Sequence, residues 1–183
     1  MHRRESLGLL GTVIATLAWP TAGHATTARA VSLQDLVKRS TRIARTTSLE
    51  SWSRSEAIGD TRHIVTYSRL RVDDLIHGPS EAEILVRTLG GRIGELGEIV
   101  HGEAEIALNE PCVVFLHQNS DGIEQVTAMA QGHYPLAMDT AGKPHLRASR
   151  NMPRLLGSGL SAVAQLSGLR FEEARGLILG ARP

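Results

Sequence analysis

Two stretches of this sequence carry residue types that could do chemistry. His101-Gly102-Glu103 sets an imidazole two residues from a carboxylate, and Pro111-Cys112 follows shortly after. Histidine, glutamate and thiolate are the groups with which a zinc site holds its ion and moves a proton from bound water. A site of that pattern needs a second thiolate three residues beyond the first, and Phe115 stands there instead. Cys112 is also the single cysteine of the chain, which excludes an intrachain disulfide and any site of several thiolates. The sequence therefore assigns no metal. The alternative set, should separate strands converge, is His101, Glu103 and His117.

Nucleophiles fare no better. A reactive Cys112 with His101 or His117 as its base would need exposure and a cationic neighbour. Beside Val113, Val114 and Phe115 it reads as a small buried hydrophobe. Ser158 lies between Gly157 and Gly159, too tightly spaced for a nucleophile elbow. Gly90, Gly91, Gly94 and Gly97 do not follow G-x-G-x-x-G, and strand rather than helix follows them, so they read as bends in a sheet and not as a phosphate cradle. No catalytic residue and no cofactor is assigned.

The elements that would position these residues are mostly strands. Ser32-Leu-Gln-Asp35 opens a short helix with an apolar stripe of Leu33, Leu36 and Val37. Thr-rich Ile43–Trp52 reads as a strand, Ile58-Gly59-Asp60 as a turn, and His63–Leu75 as a clearly alternating strand. Ala82–Thr88 is a third, Ile99-Val100 a short fourth. Cys112-Val-Val-Phe-Leu116 is the most hydrophobic stretch past residue 25, the pattern of a central strand buried on both sides. Asn119-Ser-Asp-Gly122 is a hairpin turn into Ile123–Met129, and Tyr134–Met138 is a last strand. Residues 140–160 read as irregular, and Phe171, Ala174 and Ile178 mark a terminal helix. Short turns between strands predict a mainly β, antiparallel sheet closed as a small Greek-key, OB-like barrel, with one helix before it and one after. Aromatics are only 3% of the chain, so Val, Ile, Leu and Ala must build its core.

Residues 1–25 read as a signal peptide. Arg3 and Arg4 precede the apolar run Leu7–Trp19, Pro20 breaks it, and Gly23 and Ala25 are the small residues before a cut at Thr26. That divides the chain into a leader at 1–25, a barrel domain at 26–139, and an irregular segment with a C-terminal helix at 140–183. The expected location is the periplasm or the extracellular space. Of 20 basic and 19 acidic residues, Arg3, Arg4 and Glu5 leave with the leader, so the remainder is neutral. A neutral, mixed surface argues against nucleic acid as a partner, and no mature segment is apolar enough to span a membrane.

Several motifs occur in a telling order: the Ser-led helix, the Ile43 strand, Val72-Asp-Asp-Leu-Ile-His-Gly78, Gly90-Gly91, Val100-His101-Gly102 and Glu110-Pro-Cys-Val-Val-Phe-Leu116. Over residues 32–138 this resembles uncharacterised secreted bacterial proteins with a netrin-like, or metalloproteinase-inhibitor-like, OB-fold barrel. The resemblance implies the fold alone. Such inhibitors are rich in cysteine and act through an N-terminal one, whereas the single cysteine here is Cys112.

The expectation that follows is an exported β-barrel domain, favoured as a non-enzyme, that binds another protein or an envelope component. Its specificity would sit in loops, with Arg92 and Glu95 in one and Gln118, Asn119 and Asp121 in the other. The alternative is an exported hydrolase or metal-binding protein whose site is assembled from separate strands.

Overall fold

A computed structural model describes residues 26–157 and 159–182. The leader expected at 1–25 and the Ser158 hydroxyl lie outside them. The described chain opens with a short strand, β1 (Thr27–Arg29), and the helix α1 (Leu33–Arg39). Ser32 caps α1: its Oγ accepts from the Asp35 N–H at 3.1 Å and donates to Asp35 Oδ2 at 2.8 Å. Leu33, Leu36 and Val37 point inward, as their spacing predicts.

Two long antiparallel strands follow, β2 (Arg42–Ile58) and β3 (Thr61–His77), joined at Gly59-Asp60 with Gly59 at φ +61°. β4 (Glu83–Leu89) pairs antiparallel with β3. A small hairpin, β5 (Gly91–Ile93) and β6 (Leu96–Glu98), then folds over one side of the distal half of β2 and β3. Its approach is so close that a Cβ on Gly91 would lie 2.2 Å from Thr66 Oγ1 and 2.5 Å from Ser53 Oγ. Strands do follow the glycine cluster, and no helix N-terminus stands behind it.

β7 (Pro111–Gln118) lies antiparallel to β2. β8 (Glu124–Val126) lies parallel to β4 and antiparallel to the end of β7. The strand expected over Ile123–Met129 is thus cut to three residues. Ala128 and Met129 both turn to φ +57°, and a 3-10 turn at Met129–Gly132 takes over. β9 (His133–Met138) pairs with the start of β7, and β10 (Pro144–Leu146) pairs with β9. The seven-stranded order is β10-β9-β7-β2-β3-β4-β8.

The stretch expected to be irregular holds β10 and also β11 (Arg154–Leu156), which pairs in parallel with β1. That pairing makes a strand of Thr27–Arg29, which the sequence pattern leaves without an element. Three-residue strands carry no alternation that a sequence pattern could expose. Two helices complete the fold, α2 (Ala162–Leu166) and α3 (Phe171–Gly180). The protein is mainly β, and no helix of the described residues is long and apolar enough to cross a membrane.

Both faces of β7 are buried, as its apolar run predicts. Val113 and Phe115 join Leu36, Ile43, Tyr134 and Ile178 beneath the helices. Cys112, Val114 and Leu116 join Leu70, Val86 and Val126 on the other side. Each fully buried Leu, Ile, Phe or Val contributes about 1.5–3 kcal/mol. At the proximal end the Arg42 guanidinium, 1% exposed, holds three segments together. Its Nε donates to Glu124 Oε1 on β8 at 2.9 Å, its Nη1 to Pro79 O at 2.8 Å, and its Nη2 pairs with Glu81 at 3.2 Å. Gly78, at φ +100°, passes so near that a Cβ there would lie 2.3 Å from Thr41 O.

Candidate functional site

The distal half of the β2–β3 hairpin extends beyond the helical cover and leaves one face open. A register irregularity between Ser48 and Glu50 sets Glu50, Trp52, Arg54 and Glu56 on this face. Across from them on β3 stand Arg69 and Tyr67, and beyond these Leu85 and Arg87 on β4. Trp52 and Tyr67 are directly opposite, with ring centroids 5.8 Å apart and planes 14° from parallel. The Arg54 guanidinium sits 4.5 Å from the Tyr67 ring centroid. Such contacts hold aromatic rings in one orientation. Tyr67 is buried by them, whereas Trp52 remains 39% exposed and Leu85 42% exposed.

The surrounding charges are paired. The Tyr67 hydroxyl donates to Glu56 Oε1 at 2.7 Å and accepts from Arg54 Nη2 at 3.0 Å. Arg54 also pairs with Glu56, and Arg87 Nη1 donates to Glu56 Oε2 at 3.0 Å. Burial works against the charge of Glu56, but the Tyr67 hydroxyl and the two guanidinium groups outweigh it and hold its carboxyl below the usual range. The Gln125 amide, with its oxygen toward Arg87, accepts from Nη2 at 2.8 Å. Arg69 bridges Glu50 at 3.1 Å and Glu83 at 2.8 Å. The face is therefore electrically balanced and presents an aromatic ring held by its neighbours.

The loop residues expected to bind lie apart, and all but the half-buried Asn119 are exposed. Arg92 and Glu95 belong to the β5–β6 hairpin, on the serine-lined side of β2 and opposite to Trp52. Arg92 Nε donates to Gly94 O at 2.9 Å within its own turn. Gln118, Asn119 and Asp121 lie at the β7–β8 turn, next to the proximal end of β2. Asn119 is engaged in building that turn: its Oδ1 accepts from the N–H of Asp121 at 3.0 Å and of Ile123 at 2.9 Å.

His101, Glu103 and His117 also stay separate. His101 is exposed in a turn. His117 is on β7, where burial and the nearby Arg39 charge lower its pKa. Glu103 is buried, and burial outweighs the Ala104 and Leu89 amides to raise its carboxyl above the usual range. Among the described residues no group of three or more His, Cys, Asp or Glu could hold a metal. Cys112 is buried and its thiol is pushed up to about 12, the opposite of what a nucleophile requires. No protein-family model and no curated protein sequence matches this chain.

The sequence pattern hides the Trp52 face, because the strand it predicts stops at Trp52 whereas β2 runs on to Ile58. The alternation Glu50, Trp52, Arg54, Glu56 was the available signal. Ser51, Ser53 and Ser55 between them masked it, since strands with polar residues on both sides resemble loops.

Proposed function

We propose that this protein is an exported, non-enzymatic domain that binds a protein partner in the envelope through the open face of β2, β3 and β4. The observation that carries the reading is Trp52, part-exposed on a paired sheet and stacked on Tyr67, whose ring and hydroxyl Arg54 in turn engages. Trp, Tyr and Arg are the residues that dominate protein–protein binding energy, and pre-fixed rings lose little freedom on docking. A protein is favoured over another envelope component because the charges around the ring are already balanced by one another, which leaves shape and apolar contact to set affinity. The framework of this reading is an OB-like Greek-key barrel, akin to the netrin-like proteins. The parallel β4–β8 and antiparallel β7–β8 pairings support it, because with β7–β2, β2–β3 and β3–β4 they form a ring of five strands. Arg92 and Glu95 are a separate, polar contact in this reading.

The test uses a natural probe. Trp19 and Trp52 are the two tryptophans of the chain, and Trp19 belongs to the leader. Emission of the leader-free protein then reports Trp52 alone. Fractionated envelope proteins that bind should shift that emission, and Trp52→Ala should weaken binding by tenfold or more while Arg92→Ala with Glu95→Ala weakens it less. Binding that leaves both the emission and the Trp52→Ala affinity unchanged would overturn the proposal.

A further inference from the structure

A second site, independent of the Trp52 face, opens on the other side of the hairpin. There the segment 99–106 and the β5–β6 hairpin roof a cleft of about 410 Å³. Its floor is the side of β3 and β4 that carries Thr66, Ser68 and Thr88. The Asn151 amide fixes the roof by donating to Val100 O at 3.1 Å and Glu103 O at 3.3 Å.

Three features of this cleft are unusual together. Glu103 is 9% exposed and lines the cleft without a cationic partner. Its carboxylate takes only the Ala104 N–H at 2.9 Å and the Leu89 N–H at 3.4 Å. The lining includes Glu98 and Glu105 as well, and no Lys, Arg or His. Of these, Glu98 is already engaged by His63 at 2.8 Å and by the Ile64 N–H at 2.6 Å. Finally, the Ser68 hydroxyl lines the same floor, is 1% exposed, and has no hydrogen-bond partner among the described residues. Buried hydroxyls and carboxylates in folded proteins are nearly always partnered.

We infer that this cleft binds a small organic ammonium ion with a short apolar body. The ammonium group donates to the Glu103 carboxylate and to Ser68 Oγ, and its alkyl part lies against Leu89, Val100 and Ile106. A compact –NH3+ has three donors and no acceptor, which suits a cleft whose free polar groups can all accept. The volume suits a ligand of a few heavy atoms rather than a polymer.

The experiment titrates n-butylammonium into the leader-free protein and follows the amide NMR signals of Leu89 and Ala104, which bond Glu103 directly. Saturable shifts are expected with n-butylammonium, and none at equal concentration with 1-butanol or butyrate. Glu103→Gln should weaken binding at least tenfold and Ser68→Ala several-fold, with far-ultraviolet circular dichroism unchanged. Should Glu103→Gln fail to fold, Ser68→Ala and the butanol comparison decide. Absence of saturable shifts, equal binding of butanol or butyrate, or unweakened binding by folded Glu103→Gln or Ser68→Ala would each overturn the inference. None of these results depends on the Trp52 face.

Discussion

Mild acid should destabilise this fold through one histidine. His133 on β9 is 2% exposed, with Nδ1 3.0 Å from Ser149 Oγ. Burial, helped by the Arg150 charge, lowers its pKa from 6.5 to about 4. Between those values the unfolded chain binds a proton that the folded chain refuses, so stability falls as pH drops from about 6.5 and levels off below about 4. At about 1.4 kcal/mol for each pH unit the full loss is about 3 kcal/mol, of which about 2 kcal/mol falls between pH ~7 and pH ~4.5. Glu103 and Glu124 act with the opposite sign. Burial raises both, so the folded state gains stability as each protonates on the way down to the ordinary carboxylate range. The total pH profile therefore mixes both directions, and a comparison separates them. His133→Gln keeps a polar group opposite Ser149 and cannot titrate. Urea unfolding of both proteins across this range should show the native protein losing about 2 kcal/mol more than the variant. Parallel losses would mean that His133 is not held neutral by its surroundings.

Arg42→Met should cost about 3–5 kcal/mol in urea unfolding, because it strands the buried Glu124 carboxylate, and adding Glu124→Leu should restore most of that loss. Cys112 should resist a thiol reagent at neutral pH until the protein is unfolded, and Cys112→Ala should cost about 1–2 kcal/mol; rapid labelling of the folded protein would contradict its burial. Gly78→Ala should cost about 3 kcal/mol or more, since it adds a backbone clash to an unfavourable φ of +100°, whereas Gly122→Ala, with φ +75° and open space around it, should cost about 1 kcal/mol. Equal midpoint shifts for the two glycine variants would show that the close approach at Thr41 is not rigid.

Where burial alone shaped the pattern, the sequence was readable. The run Cys112–Leu116 announced a strand covered on both sides, and Phe171, Ala174 and Ile178 announced the inward stripe of α3. Ser32 and Asp35 announced the start of α1. What escaped was set by contacts distant in sequence. β1 exists because Arg154–Leu156 lies beside it, and nothing in Thr-Ala-Arg carries that information. Ser53 on β2 looks like a loop residue because its cover is the backbone of a glycine hairpin rather than an apolar side chain, and Ser51 and Ser55 beside it are exposed. The cleft escaped for the same reason: Ser68, Glu103 and Asn151 come from three separate segments. Of the alternative set His101, Glu103 and His117, Glu103 alone lines it, beside Gly90 and Gly91 of the glycine cluster.

The far end of the seven-stranded order has a consequence for how copies of this protein behave together. β8 has neighbours on two sides, so of the two strands that end the series only β10 has a free side, while along β2 the pairing with β7 stops at Thr47. An unpaired strand edge is a template on which another chain can add, and hence a starting point for aggregation. Here that edge is short, begins with a proline that has no N–H to offer, and is occupied by its own chain. Leu146 donates to Leu169 O at 2.8 Å, Leu146 O accepts from the Gly168 N–H at 2.8 Å, and His145 bridges to Arg170. The segment leading into α3 thus acts as a guard over the sheet's exposed hydrogen-bonding groups. A chain cut before Gly168 would lose the guard along with the helix, and would be expected to self-associate by strand addition.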